Sequence, residues 1–137
     1  MKKLLIVLCA CGTSAIAMAG PLDTNGDGVD DLYFQNSSGQ IFSWQLNGSG
    51  TAMSATFVHA GILADWRLVA RADLNQDGTG DLIFQNSEGQ IFGWLTSSAG
   101  FPFGVVSIYR GDGLADWRVR AAADLNSDGI PDLILQS

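Results

Sequence analysis

Lysine is missing after Lys3, histidine occurs once, as His59, and both cysteines, Cys9 and Cys11, fall at the very start. Without thiols the rest of the chain cannot be stapled by disulfides. One histidine and no cysteine leave no zinc motif or nucleophile–base pair, and neither a phosphate-cradling glycine loop nor a nucleophile elbow is present. The chain therefore reads as a non-enzyme, with His59 as a partly buried strand residue. No apolar run approaches the roughly 20 residues that span a bilayer, and no amphipathic helical pattern is evident.

The start reads Met1-Lys2-Lys3, then apolar Leu4 to Ala10, then small residues through Ala17-Met18-Ala19 before Gly20-Pro21. That order predicts a signal peptide over 1–19 and a secreted, periplasmic or cell-surface product. Leu8-Cys9-Ala10-Cys11 resembles a lipobox, so a lipid anchor at Cys11 is the competing route. Beyond Ala19 there are five arginines and fourteen acidic residues, 5 − 14 = −9. A nucleic-acid partner is excluded on charge.

Ten of the fourteen acids sit in three clusters, at 23–31, 73–81 and 124–132. The clusters belong to a repeat of 50–51 residues. Asp23 to Trp44 matches Asp73 to Trp94 at fifteen of twenty-two positions, and a third copy begins at Asp124 and runs to Ser137. Ala64-Asp65-Trp66-Arg67 likewise recurs as Ala115-Asp116-Trp117-Arg118.

Runs rich in Val, Ile, Phe and Trp, bounded by Gly, Asn, Asp and Ser, predict four strands per repeat. In the complete unit they fall near 66–72, 82–85, 90–96 and 105–109, with Ser87-Glu88-Gly89 as a hairpin turn. In the third strand Phe92 and Trp94 point one way and Ile91 and Leu95 the other, with Gly93 permitting close approach. A strand covered on both faces suits stacked sheets. The expected fold is all-β, a partial β-propeller of four-stranded antiparallel blades spanning about two and a quarter repeats. Residues 23–61 form an incomplete blade, 65–110 a whole one and 116–137 a truncated one.

Each repeat carries Asp-x-Asn-x-Asp-Gly-x-x-Asp-Leu. The candidate metal ligands are Asp23, Asn25, Asp27, Val29 and Asp31; Asp73, Asn75, Asp77, Thr79 and Asp81; and Asp124, Asn126, Asp128, Ile130 and Asp132. Oxygens at positions one, three and five converge when the chain wraps a point, glycine at six allows the sharp turn, and position seven offers its carbonyl. A backbone oxygen there explains why Val29, Thr79 and Ile130 interchange. An all-oxygen set selects Ca²⁺ over zinc or copper. Carboxylates about 4 Å apart repel by roughly 1 kcal/mol in water and about 4 at intermediate dielectric, so the cation is expected to contribute to folding. Turn preference explains one such loop; three at a fixed period need more. An EF-hand or dockerin fits poorly, because flanking helices are missing and position twelve holds Phe34, Phe84 and Leu135 where an EF-hand has Glu.

These loops, the hairpins Phe34 to Trp44 and Phe84 to Trp94, and the Asp-Trp-Arg segments resemble the FG-GAP/VCBS repeat family, integrin-α-like calcium-binding propeller repeats. The resemblance implies calcium on the loop residues, a propeller, and a role in adhesion or in displaying a surface for an extracellular protein or glycan. An accessory propeller of a secreted carbohydrate-active or phospholipase-type enzyme, or a structural assembly unit, are the alternatives. Because the third copy stops inside its repeat, either the remainder of a longer propeller or head-to-tail association of copies is expected. Trp44, Trp66, Trp94 and Trp117 recur at repeat spacing, which favours core packing over sugar stacking. Arg67 and Arg118 are expected to pair with Asp65 and Asp116 or with acids of the next blade.

Overall fold

The computed structural model describes residues 22–25, 27–61, 63 and 65–137. The signal peptide, its cleavage point and the Cys11 anchor lie outside them. Nine strands follow one another with no helix among the described residues: β1 (Leu32–Gln35), β2 (Ile41–Leu46), β3 (Ala52–His59), β4 (Arg67–Ala72), β5 (Asp81–Gln85), β6 (Ile91–Thr96), β7 (Pro102–Tyr109), β8 (Arg118–Ala123) and β9 (Asp132–Gln136). They form three antiparallel meanders, β1-β2-β3, β4-β5-β6-β7 and β8-β9, here called sheets 1, 2 and 3. The chain is thus a partial propeller: three strands of one blade, a whole second blade, and the first two strands of a third.

The repeat in sequence is a repeat in register. Leu32 faces Trp44 and Phe34 faces Phe42 in sheet 1, as Leu82 faces Trp94 and Phe84 faces Phe92 in sheet 2. Irregularities recur too, at Ile41/Phe42 and Ile91/Phe92, at Gln45/Leu46 and Leu95/Thr96, and at Leu68/Ala70 and Val119/Ala121. Such bulges raise local twist, which lets successive sheets fan.

The strand bounds differ from expectation mainly at β7, which starts at Pro102 and not near 105. Proline at a strand's first residue forfeits no needed donor, and Pro-Phe-Gly, which reads as a turn, pairs with Thr96 and Leu95 instead.

Two apolar layers flank sheet 2. On one side Ile41, Leu82 and Phe84 are fully buried, with Tyr33, Trp66, Phe92 and Trp94 packed on them. On the other lie Ile83, Ile91, Ala72 and Val119, with Leu114, Leu133 and Leu135. The expected two-faced third strand is realised: Phe92 and Trp94 serve the first layer and Ile91 the second. At Gly93 a Cβ would come within 2.3 Å of Leu74 Cδ1, so the missing side chain is what admits the loop leucine.

Core packing of the tryptophans holds for Trp66 and Trp94. Trp44 and Trp117 are instead 43 % and 41 % exposed: Trp44 lies on the face of sheet 1 away from sheet 2, and Trp117, in the place of Trp66, has no third strand in sheet 3 to supply a counterpart of Phe92. His59 is half-buried, edge-on to Trp94 at 4.8 Å.

Candidate functional site

The acidic loops join β4 to β5 and β8 to β9, and the first precedes β1. Asp73 of the second loop and Asp124 and Gly129 of the third line a cleft of about 270 Å³, together with Leu22, which precedes the first loop.

Each loop is closed by the same main-chain donors. The glycine N–H at position six donates to the position-one carboxylate at 2.8 Å in all three: Gly28 to Asp23, Gly78 to Asp73, Gly129 to Asp124. Asp27, Asp77 and Asp128 N–H groups donate to Asn25, Asn75 and Asn126 Oδ1 at 2.9, 3.1 and 2.9 Å. Val29, Thr79 and Ile130 N–H groups donate to Asp27, Asp77 and Asp128 Oδ1 at 2.9, 2.8 and 2.8 Å. Side-chain oxygens from positions one, three and five are therefore turned inward by the backbone itself. The glycines at position six have φ of 85°, 86° and 85°, a left-handed turn that side chains disfavour.

Position four holds Gly26, Gln76 and Ser127. The structure gives Gln76 and Ser127 φ of 59° and 64°. Glycine in the first repeat was the only sequence sign of that demand.

Position nine has a role that spacing did not reveal. Asp31 and Asp81 are 3 % and 0 % exposed. Asp81 accepts Leu74 N–H at 2.9 Å on one oxygen and Thr96 N–H at 2.8 Å on the other, bracing the loop against the end of β6. Asp31 does the same with Thr24 N–H and Leu46 N–H, at 2.8 and 2.9 Å. Asp132 accepts Leu125 N–H at 3.0 Å, and sheet 3 has no third strand to supply the second donor. Burial pushes the Asp81 carboxyl above the usual carboxylate range, while the two N–H bonds pull the other way. Asp77, at the loop's tip, is held low by Asn75 and the Thr79 N–H.

With position nine drawn into the sheet, no three carboxylate, histidine or cysteine side chains of the described residues form one metal-sized cluster. A cation here would rely on mixed oxygens, two carboxylates with an asparagine and a main-chain carbonyl. The donor chemistry fits: each inward oxygen accepts N–H bonds yet has a second lone pair, and all are hard ligands suited to Ca²⁺. Asn75 Nδ2 also donates to Asp77 Oδ2 at 2.8 Å, as Asn25 and Asn126 do to their partners.

Arg71, unmarked by the repeat because Ala122 holds its place in the third copy, ties two loops together. Its guanidinium donates to Leu22 O at 3.0 Å, Asp31 O at 3.4 Å and Gly80 O at 2.9 Å, and lies 4.2 Å over the Tyr33 ring. Its Nε is buried without a partner, and burial lowers its pKa.

Sequence reading also missed the glutamine staples. Gln35 Nε2 donates to Trp66 O and its Oε1 accepts Leu68 N–H, both at 3.0 Å, crossing from sheet 1 to sheet 2. Gln85 repeats this with Trp117 O and Val119 N–H, again at 3.0 Å, crossing to sheet 3. The Asp-Trp-Arg segments are the receiving ends of these staples. Arg118 donates to Ala115 O and Trp117 O at 2.6 and 2.8 Å, bonds to main-chain carbonyls where pairing with an acid was expected.

Among the described residues no helix is long and apolar enough to cross a membrane. Comparison with curated proteins and with solved structures found no match. Residues 23–84 match the family described as the FG-GAP-like repeat, a stretch from the first acidic loop through β5 that takes in one full period. Residues 23–84 are accordingly similar to an FG-GAP-like repeat.

Proposed function

We propose that the chain is an exported calcium-binding repeat module that works by binding and not by catalysis, with Ca²⁺ held in each loop by Asp23, Asn25 and Asp27, by Asp73, Asn75 and Asp77, and by Asp124, Asn126 and Asp128. The carbonyls of Val29, Thr79 and Ile130 join those sets, while the position-nine carboxylates of Asp31 and Asp81 brace their loops against the sheet. The observation that carries this is the threefold recurrence of one main-chain scaffold aiming hard oxygens inward. In such a loop the ion neutralises mutually repelling carboxylates and stiffens the link between the first two strands of a blade. The array of blades then presents a surface for adhesion, or for an extracellular protein or glycan.

The test is a melt of residues 20–137 in chelator, in Ca²⁺ and in Mg²⁺, with calorimetric titration of the ion. Ligand at a hundred times its dissociation constant stabilises by about 2.7 kcal/mol per site. A melting curve indifferent to Ca²⁺, with no heat of binding, refutes the proposal. A glycan and matrix-protein binding screen of the loaded protein addresses the partner.

A further inference from the structure

Arg71 grips the necks of two acidic loops at once, and the repeat does not call for it: Pro21 holds its place in the first copy and Ala122 in the third. Leu22 stands directly before position one of the first loop and Asp31 is its position nine, and the Asp31 N–H donates to Leu22 O at 3.0 Å, which closes that neck. The Arg71 guanidinium donates to both carbonyls, Leu22 O at 3.0 Å and Asp31 O at 3.4 Å, and through its other terminal nitrogen to Gly80 O at 2.9 Å. Gly80 is position eight of the second loop, next to the Asp81 carboxylate that braces it. An arginine fork holds its donors in fixed directions, and the Tyr33 ring 4.2 Å away keeps the fork in its plane. Neither neck can shift without disturbing the group that holds the other.

Between the second and third loops the corresponding link is missing. Ala122 has no donor to offer, and the residues answering to Leu22 and Gly80 there, Ala72 and Pro131, line the open cleft of about 270 Å³. These two loops approach through the tip of Gln76, whose Nε2 lies 3.3 Å from where a Cβ on Gly129 would stand, a flexible amide that can follow either loop. We propose that Arg71 is a positioning residue that couples the first and second loops, so that filling one with Ca²⁺ favours filling the other, while no such link reaches the third. The proposal rests on the calcium reading above and deepens it. A loop that has closed on its ion fixes its own neck and with it the guanidinium, so the second loop to close finds one of its anchors already ordered and loses less freedom. Coupling between two binding sites is reciprocal: the factor by which the first loop raises the affinity of the second is the factor by which the second raises that of the first.

The glycine N–H groups at position six report the loops separately, since Gly28, Gly78 and Gly129 each donate to the position-one carboxylate of their own loop at 2.8 Å. Following those three amides by NMR while Ca²⁺ is titrated into isotope-labelled protein gives one midpoint per loop. Asp27→Ala, which disables the first loop, should raise the Gly78 midpoint about fivefold or more, the low end of ordinary coupling between sites, and leave the Gly129 midpoint in place. Asp77→Ala should raise the Gly28 midpoint by the same factor. Adding Arg71→Met, which keeps the apolar stem and removes the donors, should abolish both cross-effects. Arg71→Lys keeps the charge but not the fork; it should abolish them too, and it carries the test where the methionine variant folds poorly. A Gly78 midpoint indifferent to Asp27→Ala, or a cross-effect that survives loss of the fork, overturns the coupling and leaves calcium binding standing. Three glycine amides that ignore Ca²⁺ altogether overturn the calcium reading and the coupling with it.

Discussion

Phe84 and Phe34 occupy the same place in adjacent repeats but opposite environments, so one substitution made twice measures what a neighbouring blade contributes. Phe84 is fully buried, stacked on Phe92 at 4.9 Å and edge-on to Trp94 at 4.8 Å. Removing such a ring costs about 3–5 kcal/mol, the transfer term plus an incompletely collapsed cavity. Among the described residues Phe34 has Trp44 alone as a ring partner, and it is 41 % exposed; solvent fills its place, so the cavity term drops out. The remaining buried portion of the ring is worth roughly 1–1.5 kcal/mol at about 25 cal/mol per Å². Phe84→Ala should therefore exceed Phe34→Ala by about 2–3 kcal/mol, or roughly 8–15 °C in midpoint for a domain of this size. Urea unfolding followed by tryptophan fluorescence, at a concentration too low for association, reads the difference. Should Phe84→Ala leave too little folded protein, Phe84→Leu gives a graded version. Equal losses at the two positions would refute the assignment of the first apolar layer to a contact between sheets 1 and 2.

The same logic extends to three further sites. Asp81→Ala removes both bracing bonds and should destabilise the protein by about 2–4 kcal/mol even in chelator, whereas Asp77→Ala, at an exposed tip, should spare the chelated protein and weaken only the response to Ca²⁺; paired melts in both buffers separate them. Gln85→Ala strands Trp117 O and Val119 N–H at the boundary of sheets 2 and 3, an expected loss of about 1–3 kcal/mol, with faster amide exchange at Val119 as the local sign. Gln76→Gly relieves a left-handed φ of 59° and should raise the chelated protein's stability by about 0.5–1 kcal/mol; a loss by chemical denaturation would show that position carries no strain.

The strand layout was legible because apolar runs bounded by Gly, Asn, Asp and Ser mark the strands and each repeat confirms the next. The loop oxygens at positions one, three and five were readable from spacing, and their inward turn depends on neighbouring N–H groups that every sequence supplies. What stayed hidden depends on partners remote in sequence. Asp81 looks like one more ligand until Thr96, fifteen residues away, is seen donating to it. Gln35 and Gln85 look like solvent-facing strand ends until the next sheet arrives. Arg71 departs from the repeat, so a search for recurrence passes over it. The exposed Trp44 and Trp117 mislead for the opposite reason: recurrence places them in a core, but Trp44 has no sheet on its side and Trp117 no third strand beside it.

Because each glutamine grips only a peptide oxygen and a peptide N–H, the strand it seizes is free to change every side chain without loosening the grip. Leu68 and Val119 already illustrate that tolerance. Blades joined this way behave as interchangeable parts, so a unit could be duplicated, deleted or borrowed from another protein and still click into place beside any glutamine-ended neighbour.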